Sequence, residues 1–252
     1  MLLFVLLPLI AVVWVSFFSN KIISFPPQGY SLDWYANGWR LDSFRDGFLL
    51  SVKVSLMATV VGMALGVPAA LALVRGRFPG KAFVTQLLMS PMMIPGVVAG
   101  SALYVYFIQF EMATEVQLAA TLPGLVAAHA VLTIPWTMRL VTASLIAIGG
   151  QVEEAAMNLG ATPWTTLRRV TLPMARPGLV AAGLFSFIVS FTDLEKSIFL
   201  IGPGETTLPI AILNYLEWNL DPTVSAVATV QILIIGIALV VSDRYVKLSR
   251  AF

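Results

Sequence analysis

Six stretches of this chain carry little or no charge: residues 2–18, 49–74, 82–109, 121–147, 178–201 and 224–242. A helix rises about 1.5 Å per residue, so about 20 apolar residues cross roughly 30 Å of hydrocarbon. A soluble fold of 252 residues cannot hide six such stretches from water. Charged residues make up 11% of the chain, against roughly 25% in a soluble domain. The expectation is an all-α integral membrane protein of six transmembrane helices, with a cytoplasmic helix between spans four and five.

The same composition closes other routes. Fifteen Lys and Arg against thirteen Asp and Glu give no basic field for a nucleic acid. Such an apolar chain has no cause to stay disordered. The absence of cysteine removes disulfides and thiolate chemistry, and a single histidine, His129, cannot build a metal or acid–base centre. No basic stretch precedes Leu2 and no small-residue cleavage site follows Phe17-Phe18, so the first run reads as a membrane helix rather than a removable signal. The bare start leaves room for a short basic stretch before Met1.

The third and fourth runs contain Pro91, Pro95, Pro123 and Pro135, which free backbone groups that neighbouring helices or a wet cavity must satisfy. Gly62 and Gly66, and Gly96 and Gly100, have the four-residue spacing that lets helix backbones approach.

Charge sorts the loops. Arg75, Arg77, Lys81, Arg139, Arg168, Arg169, Arg176, Arg244, Lys247 and Arg250 fall on one side, with only Glu153, Glu154 and Asp243 against them. The other side holds five basic residues and the remaining ten acids. Basic loops stay in the cytoplasm, which puts both termini inside. Arg139, near the inner end of its span, is expected to snorkel. Outside lie an aromatic and proline-rich loop over 19–47 and a stretch over 202–222. Within the latter, Leu208–Trp218 is too short to cross and reads as interfacial or re-entrant.

The inner segment 151–173 is punctuated like a helical hairpin. Glu153 and Glu154 sit in the first turn of a helix over about 152–158, where they complement the macrodipole. Gly160 suits a left-handed cap, Thr162 an N-cap and Pro163 the first position of a second helix, which runs to about Val170 and is stopped by Pro173. Ala155 and Ala156 leave a flat, small face that another protein's groove can accept. An amphipathic hairpin lying on the inner membrane face would account for the same residue types.

The particular pattern goes further. Glu154-Ala155-Ala156, Gly160, Val170 and Leu172-Pro173, at these spacings and before the penultimate span, resemble the EAA loop of binding-protein-dependent ABC importer permeases. The resemblance runs from about residue 48 to 242. Phe25-Pro26-Pro27, Trp34-Tyr35, Gly202-Pro203, Thr207-Leu208-Pro209 and Asp221-Pro222 resemble the spermidine/putrescine branch. It implies three segments: 1–47, a first helix and extracytoplasmic loop; 48–243, the permease core; and 244–252, a short cytoplasmic tail.

It also implies an inner-membrane location, two cytoplasmic ABC ATPase subunits, a second permease (homologous or identical), and an extracytoplasmic solute-binding protein. Glu153, Glu154, Ala155, Ala156, Leu159, Gly160, Leu172 and Pro173 become the ATPase-coupling residues. ATP and magnesium belong to the partner ATPase, and no cofactor is expected on this chain. Its nearest phosphate-loop lookalike, Gly76-Arg77-Phe78-Pro79-Gly80-Lys81-Ala82, is one residue short between the glycines and has Ala82 where a hydroxyl must hold magnesium.

Ionisable groups within spans mark candidate pathways. Asp193 and Lys196, three apart in the fifth run, share a helix face and can neutralise one another. The functional reading makes Asp193, with Glu195, a counter-charge for a cationic solute, with Phe187 or Phe191 as cation–π walls and Tyr104 contributing a ring or hydroxyl. Polyamine permeases tend to carry adjacent acids here and an acid after the third-span proline. This chain has Thr192 before Asp193, adds Lys196, and places Gly96 after Pro95. A zwitterion, amino-acid derivative, phosphonate or sugar-like solute therefore stays open. His129 reads as a packed, hydrogen-bonded core histidine, and Met89, Met92 and Met93 as adaptable packing at a helix break. The rival class is a self-sufficient secondary transporter or channel, which would call for inverted repeats that the sequence lacks.

Overall fold

The computed structural model describes residues 2–246, and the expected tail residues Lys247 and Arg250 lie outside them. The helices are α1 (Leu2–Val15), α2 (Asp33–Arg40), α3 (Asp42–Arg75), α4 (Lys81–Met89), α5 (Gly96–Thr114), α6 (Leu122–Ile148), α7 (Gln151–Asn158), α8 (Pro163–Met174), α9 (Arg176–Phe191), α10 (Ser197–Leu200), α11 (Leu208–Trp218) and α12 (Thr223–Val246). Among the described residues, four helices are long and apolar enough to cross a bilayer alone: α3, α5, α6 and α12. The pair α8 and α9, bent by 67°, makes a fifth crossing if taken as one span. α1 has 14 residues, which reach about 21 Å.

Three helices form the centre. α3 and α6 approach closely because Gly62 and Gly66 present no side chain: a β-carbon on Gly62 would run into Thr133, and one on Gly66 would sit 2.8 Å from the Thr137 Cβ. The four-residue glycine spacing on α3 thus meets a four-residue threonine spacing on α6. Thr133 Oγ1 donates to the Ala58 carbonyl at 3.0 Å, tying the two backbones. α9 closes the triad, with Gly178 against Ser144 and Ser186 Oγ 2.9 Å from Thr137 Oγ1. Between α3, α6 and α9, at one end of the bundle, Ala70, Val141, Leu145, Ala175 and Ala182 form a buried cluster. Val54, Phe107, Leu125, Val126 and Leu200 form another further along.

The third run breaks at its prolines, as the sequence implies: α4 gives way to a tight turn over Ser90–Met93, and Pro95 is the N-cap of α5. Other expectations need correcting. Pro123 lies in the first turn of α6, where a missing N–H costs nothing, and Pro135 is the internal one. The fifth run also breaks. α9 ends at Phe191, and α10 begins only at Ser197. The 19–47 segment is not all loop, since α2 occupies Asp33–Arg40 and α3 begins at Asp42.

Pro173 does not stop the second hairpin helix. A π-turn over Leu167–Thr171 precedes it, with the Leu172 N–H bonded to the Leu167 carbonyl. That wider turn opens the backbone where the proline ring would otherwise strike a carbonyl. The direction changes instead at Ala175, between α8 and α9. α11 is short, as the sequence led us to expect, and lies against α3, where the Leu208 N–H donates to Ser51 Oγ at 2.9 Å.

Candidate functional site

The hairpin forms at the end of the bundle where α3 and α6 finish. Gly149 leaves α6 with φ +71 and Gly150 leads into α7, so two glycines form the joint. Gly160 takes φ +90 after α7, which favours a residue without a β-carbon. Thr162 Oγ1 accepts the Thr165 N–H at 3.3 Å and Pro163 opens α8, as the residue order implied.

The two acids of α7 part company. Glu154 is exposed, together with Ala155 and Gly160, while Ala156 and Leu172 are half-buried and Pro173 is exposed. Leu159 is 90% and Trp164 69% exposed, so the outer face of the hairpin is apolar with a carboxylate beside it. Glu153 turns inward. Its Oε2 lies 2.8 Å from Arg75 Nε, and its Oε1 accepts from Arg75 Nη2 at 3.1 Å and from Thr171 Oγ1 at 2.9 Å. Arg75 entered the sequence reading only as one more inner basic residue; its partner is 78 positions away, and no local signal could join them.

The second candidate region lies where the two broken runs meet. The Asp193 side chain is buried and occupied: Oδ1 takes Lys196 Nζ at 3.0 Å, and Oδ2 takes the backbone N–H groups of Lys196 and Ser197 at 3.1 and 3.3 Å. The pair shares no helix face, since the chain is non-helical from Asp193 to Lys196; Asp193 instead serves the start of α10. His129 packs beside it, with Nδ1 2.7 Å from Ser190 Oγ and Nε2 3.1 Å from Ser197 Oγ.

Glu195 is exposed and lies over Gly96, so that a β-carbon there would fall on its carboxylate. The sequence therefore lacks an acid after Pro95, but Glu195 brings one to the same place. Phe191 is fully buried, stacked 5.4 Å from Phe187, and has no face for a solute; this corrects its reading as a cation–π wall. Tyr104 is exposed on α5, one turn beyond Gly100, against which the Glu195 carbonyl packs.

These features match one family, described as "binding-protein-dependent transport system inner membrane component", over residues 62–249. The chain belongs to that family. It is a permease subunit of an ABC importer, an inner-membrane component. The permease is 30% identical to the putrescine transport system permease protein PotI of Escherichia coli K12 over 93% of its length and 83% of that protein's. It is equally identical to the spermidine/putrescine permease PotC of the same strain, over 95% and 88%. A putative 2-aminoethylphosphonate permease, PhnV of Salmonella paratyphi A, is also 30% identical, over 98% and 90%.

Among solved structures, a bacterial alginate ABC transporter in complex with its pentasaccharide-bound periplasmic protein aligns over 98% of the permease and 91% of that chain, with TM-score 0.71 and 20% identity. The inward-facing MetNI methionine transporter aligns over 81% and 95%, with TM-score 0.65 and 21% identity. At those identities the likeness establishes the fold.

Proposed function

We propose that this permease forms half of the pathway of an importer for a small cationic solute of the polyamine type, and that the α7–α8 hairpin is the seat of a cytoplasmic ATPase. One observation carries this reading: the hairpin presents Glu154, Ala155, Leu159 and Gly160 outward while Glu153 ties it to the membrane helices. An exposed apolar face on a structured inner hairpin fits a protein partner. Hydrolysis of ATP, with its magnesium, belongs to that partner. A second permease, a second ATPase subunit and an extracytoplasmic solute-binding protein complete the assembly.

α1 adds a sixth crossing and α4 with α5 forms the third. The ends of α3 and α6 that meet the hairpin face the cytoplasm, with Arg75, Arg168 and Arg169 on that side and both termini there too. The polyamine class is supported by the names of relatives PotI and PotC, and by the exposed carboxylate of Glu195 at the junction of two broken helices. Discontinuous helices are where transporters place their solute sites. A second reading, a zwitterion with one ammonium such as an aminophosphonate, is favoured by the Lys196 pairing that removes Asp193 from use, and by the PhnV relative.

The test is uptake of labelled putrescine into cells carrying the whole transporter, with wild type and Gly160→Asp compared at equal membrane abundance. The variant is expected to lose uptake and ATPase co-purification together. Wild-type uptake by Gly160→Asp would sink the docking assignment. Competition by 2-aminoethylphosphonate but not by spermidine would select the second solute class.

A further inference from the structure

We propose that Arg75 is the tie through which movement of the hairpin reaches the membrane helices, so that losing it separates ATP hydrolysis from solute movement. This rests on the hairpin being the ATPase seat.

Arg75 is the last residue of α3, and its guanidinium reaches two other elements, α6 and α7. Nη2 donates to the Leu145 carbonyl at 3.1 Å and to the Gly149 carbonyl at 3.0 Å, both at the C-terminus of α6, where a cation complements the macrodipole. Nη2 also donates to Glu153 Oε1 on α7 at 3.1 Å, and Nε lies 2.8 Å from Oε2 as an ion pair without the alignment of a second hydrogen bond. Glu153 in turn accepts from Thr171 in the π-turn of α8. Side-chain exposures of 29% for Arg75 and 13% for Glu153 mark a pair withdrawn from solvent, unlike the freely screened ion pairs of a protein surface.

Among the described residues, this tie carries the side-chain hydrogen bonds between α7 and α3. An open groove lies beside it, lined by Leu71, Met157, Pro163, Thr166 and Leu167 as well as the tie itself, so the apolar faces of hairpin and α3 do not close over it. The covalent link from α6 to α7 is Gly149-Gly150, and a β-carbon on Gly149 would meet nothing. A glycine joint of this kind transmits little torque. Pull on α7 therefore reaches α3 and α6 through the Arg75–Glu153 contact, and reaches α9 through Thr171 and the bend at Ala175. Arg75 is a positioning residue: it touches neither solute nor nucleotide.

The decisive measurement is ATP hydrolysed per solute imported, in proteoliposomes holding the complete complex. Arg75→Ala is expected to raise that ratio roughly tenfold, the scale set by losing charge-assisted hydrogen bonds. Membrane abundance and ATPase co-purification should be retained. Glu153→Gln, which keeps shape and loses charge, should move the ratio the same way by less, and Arg75→Ala with Glu153→Ala should be no worse than Arg75→Ala alone.

An unchanged ratio in Glu153→Gln overturns the proposal even if Arg75→Ala fails to accumulate. So does a parallel fall of hydrolysis and uptake in Arg75→Ala, which would mean a prop rather than a transmission. If the wild-type chain recruits no ATPase, the hairpin reading itself fails, and the proposal with it.

Discussion

Asp193 Oδ1 and Lys196 Nζ lie 3.0 Å apart with their side chains only 7% and 8% exposed, at the point where the fifth apolar run stops being a helix. A charge buried this deeply is tolerated only with a partner and hydrogen bonds. Asp193 has both, and its two backbone contacts hold the short turn leading into α10. The break is thus made by a side chain acting as backbone acceptor.

Removing one partner should be worse than removing both. Lys196→Met leaves an uncompensated buried carboxylate, with an expected loss of about 3–5 kcal/mol, read as reduced membrane abundance and a lower thermal midpoint of the detergent-solubilised complex. Asp193→Asn combined with Lys196→Met should recover much of that loss. A double variant less stable than the single would show that the pair contributes net stability.

Gly62 and Gly183 separate close packing from backbone freedom. A β-carbon at Gly62 meets Thr133, whereas at Gly183 nothing lies within 4 Å. Gly62→Ala should therefore destabilise by about 1–3 kcal/mol through overpacking. Gly183→Ala, in the middle of α9, should be neutral or stabilising by about 0.5–1 kcal/mol. Thermal midpoints of the two variants side by side check this, and equal shifts would remove the packing argument for α3 on α6.

What the sequence disclosed, and what it hid, divides by range. Gly160, Thr162 and Pro163 each act within a few residues of themselves, so the hairpin's turn and caps were readable. The break before Gly96 was flagged by Pro91 and Pro95, which forbid a continuous ladder. The break after Phe191 contains no proline or glycine; it depends on Asp193 meeting Lys196 and Ser197, and an unbroken apolar helix was the natural expectation. The inward turn of Glu153 was hidden for another reason. Two adjacent glutamates look alike in sequence, and only the Arg75 side chain arriving from α3 tells them apart.

Glu195 is expected to select the solute's charge. Glu195→Gln should lower putrescine uptake by roughly 10- to 100-fold, the range of one charge-assisted hydrogen bond, with ATPase recruitment intact. Gly96→Ala should act in the same direction, because its methyl group would displace the Glu195 carboxylate. Saturation kinetics with membrane abundance held equal provide the reading. Full uptake by Glu195→Gln would take this carboxylate out of the pathway.

Leu159 isolates the docking face from the tie behind it. At 90% exposure it makes little contact within the chain, so Leu159→Asp should leave the stability of the isolated permease within about 0.5 kcal/mol of wild type, read as a nearly unchanged thermal midpoint. An aspartate desolvated in an apolar groove carries a penalty that the free permease does not feel. Co-purification of the ATPase should accordingly fall at least about tenfold, with Leu159→Met much milder. The contrast with Arg75→Ala is the informative part: one substitution should lose the motor, while the other should keep the motor and lose its effect. If Leu159→Asp retains the ATPase at wild-type yield, the partner must seat elsewhere on the hairpin, with the exposed Trp164 the next side to test.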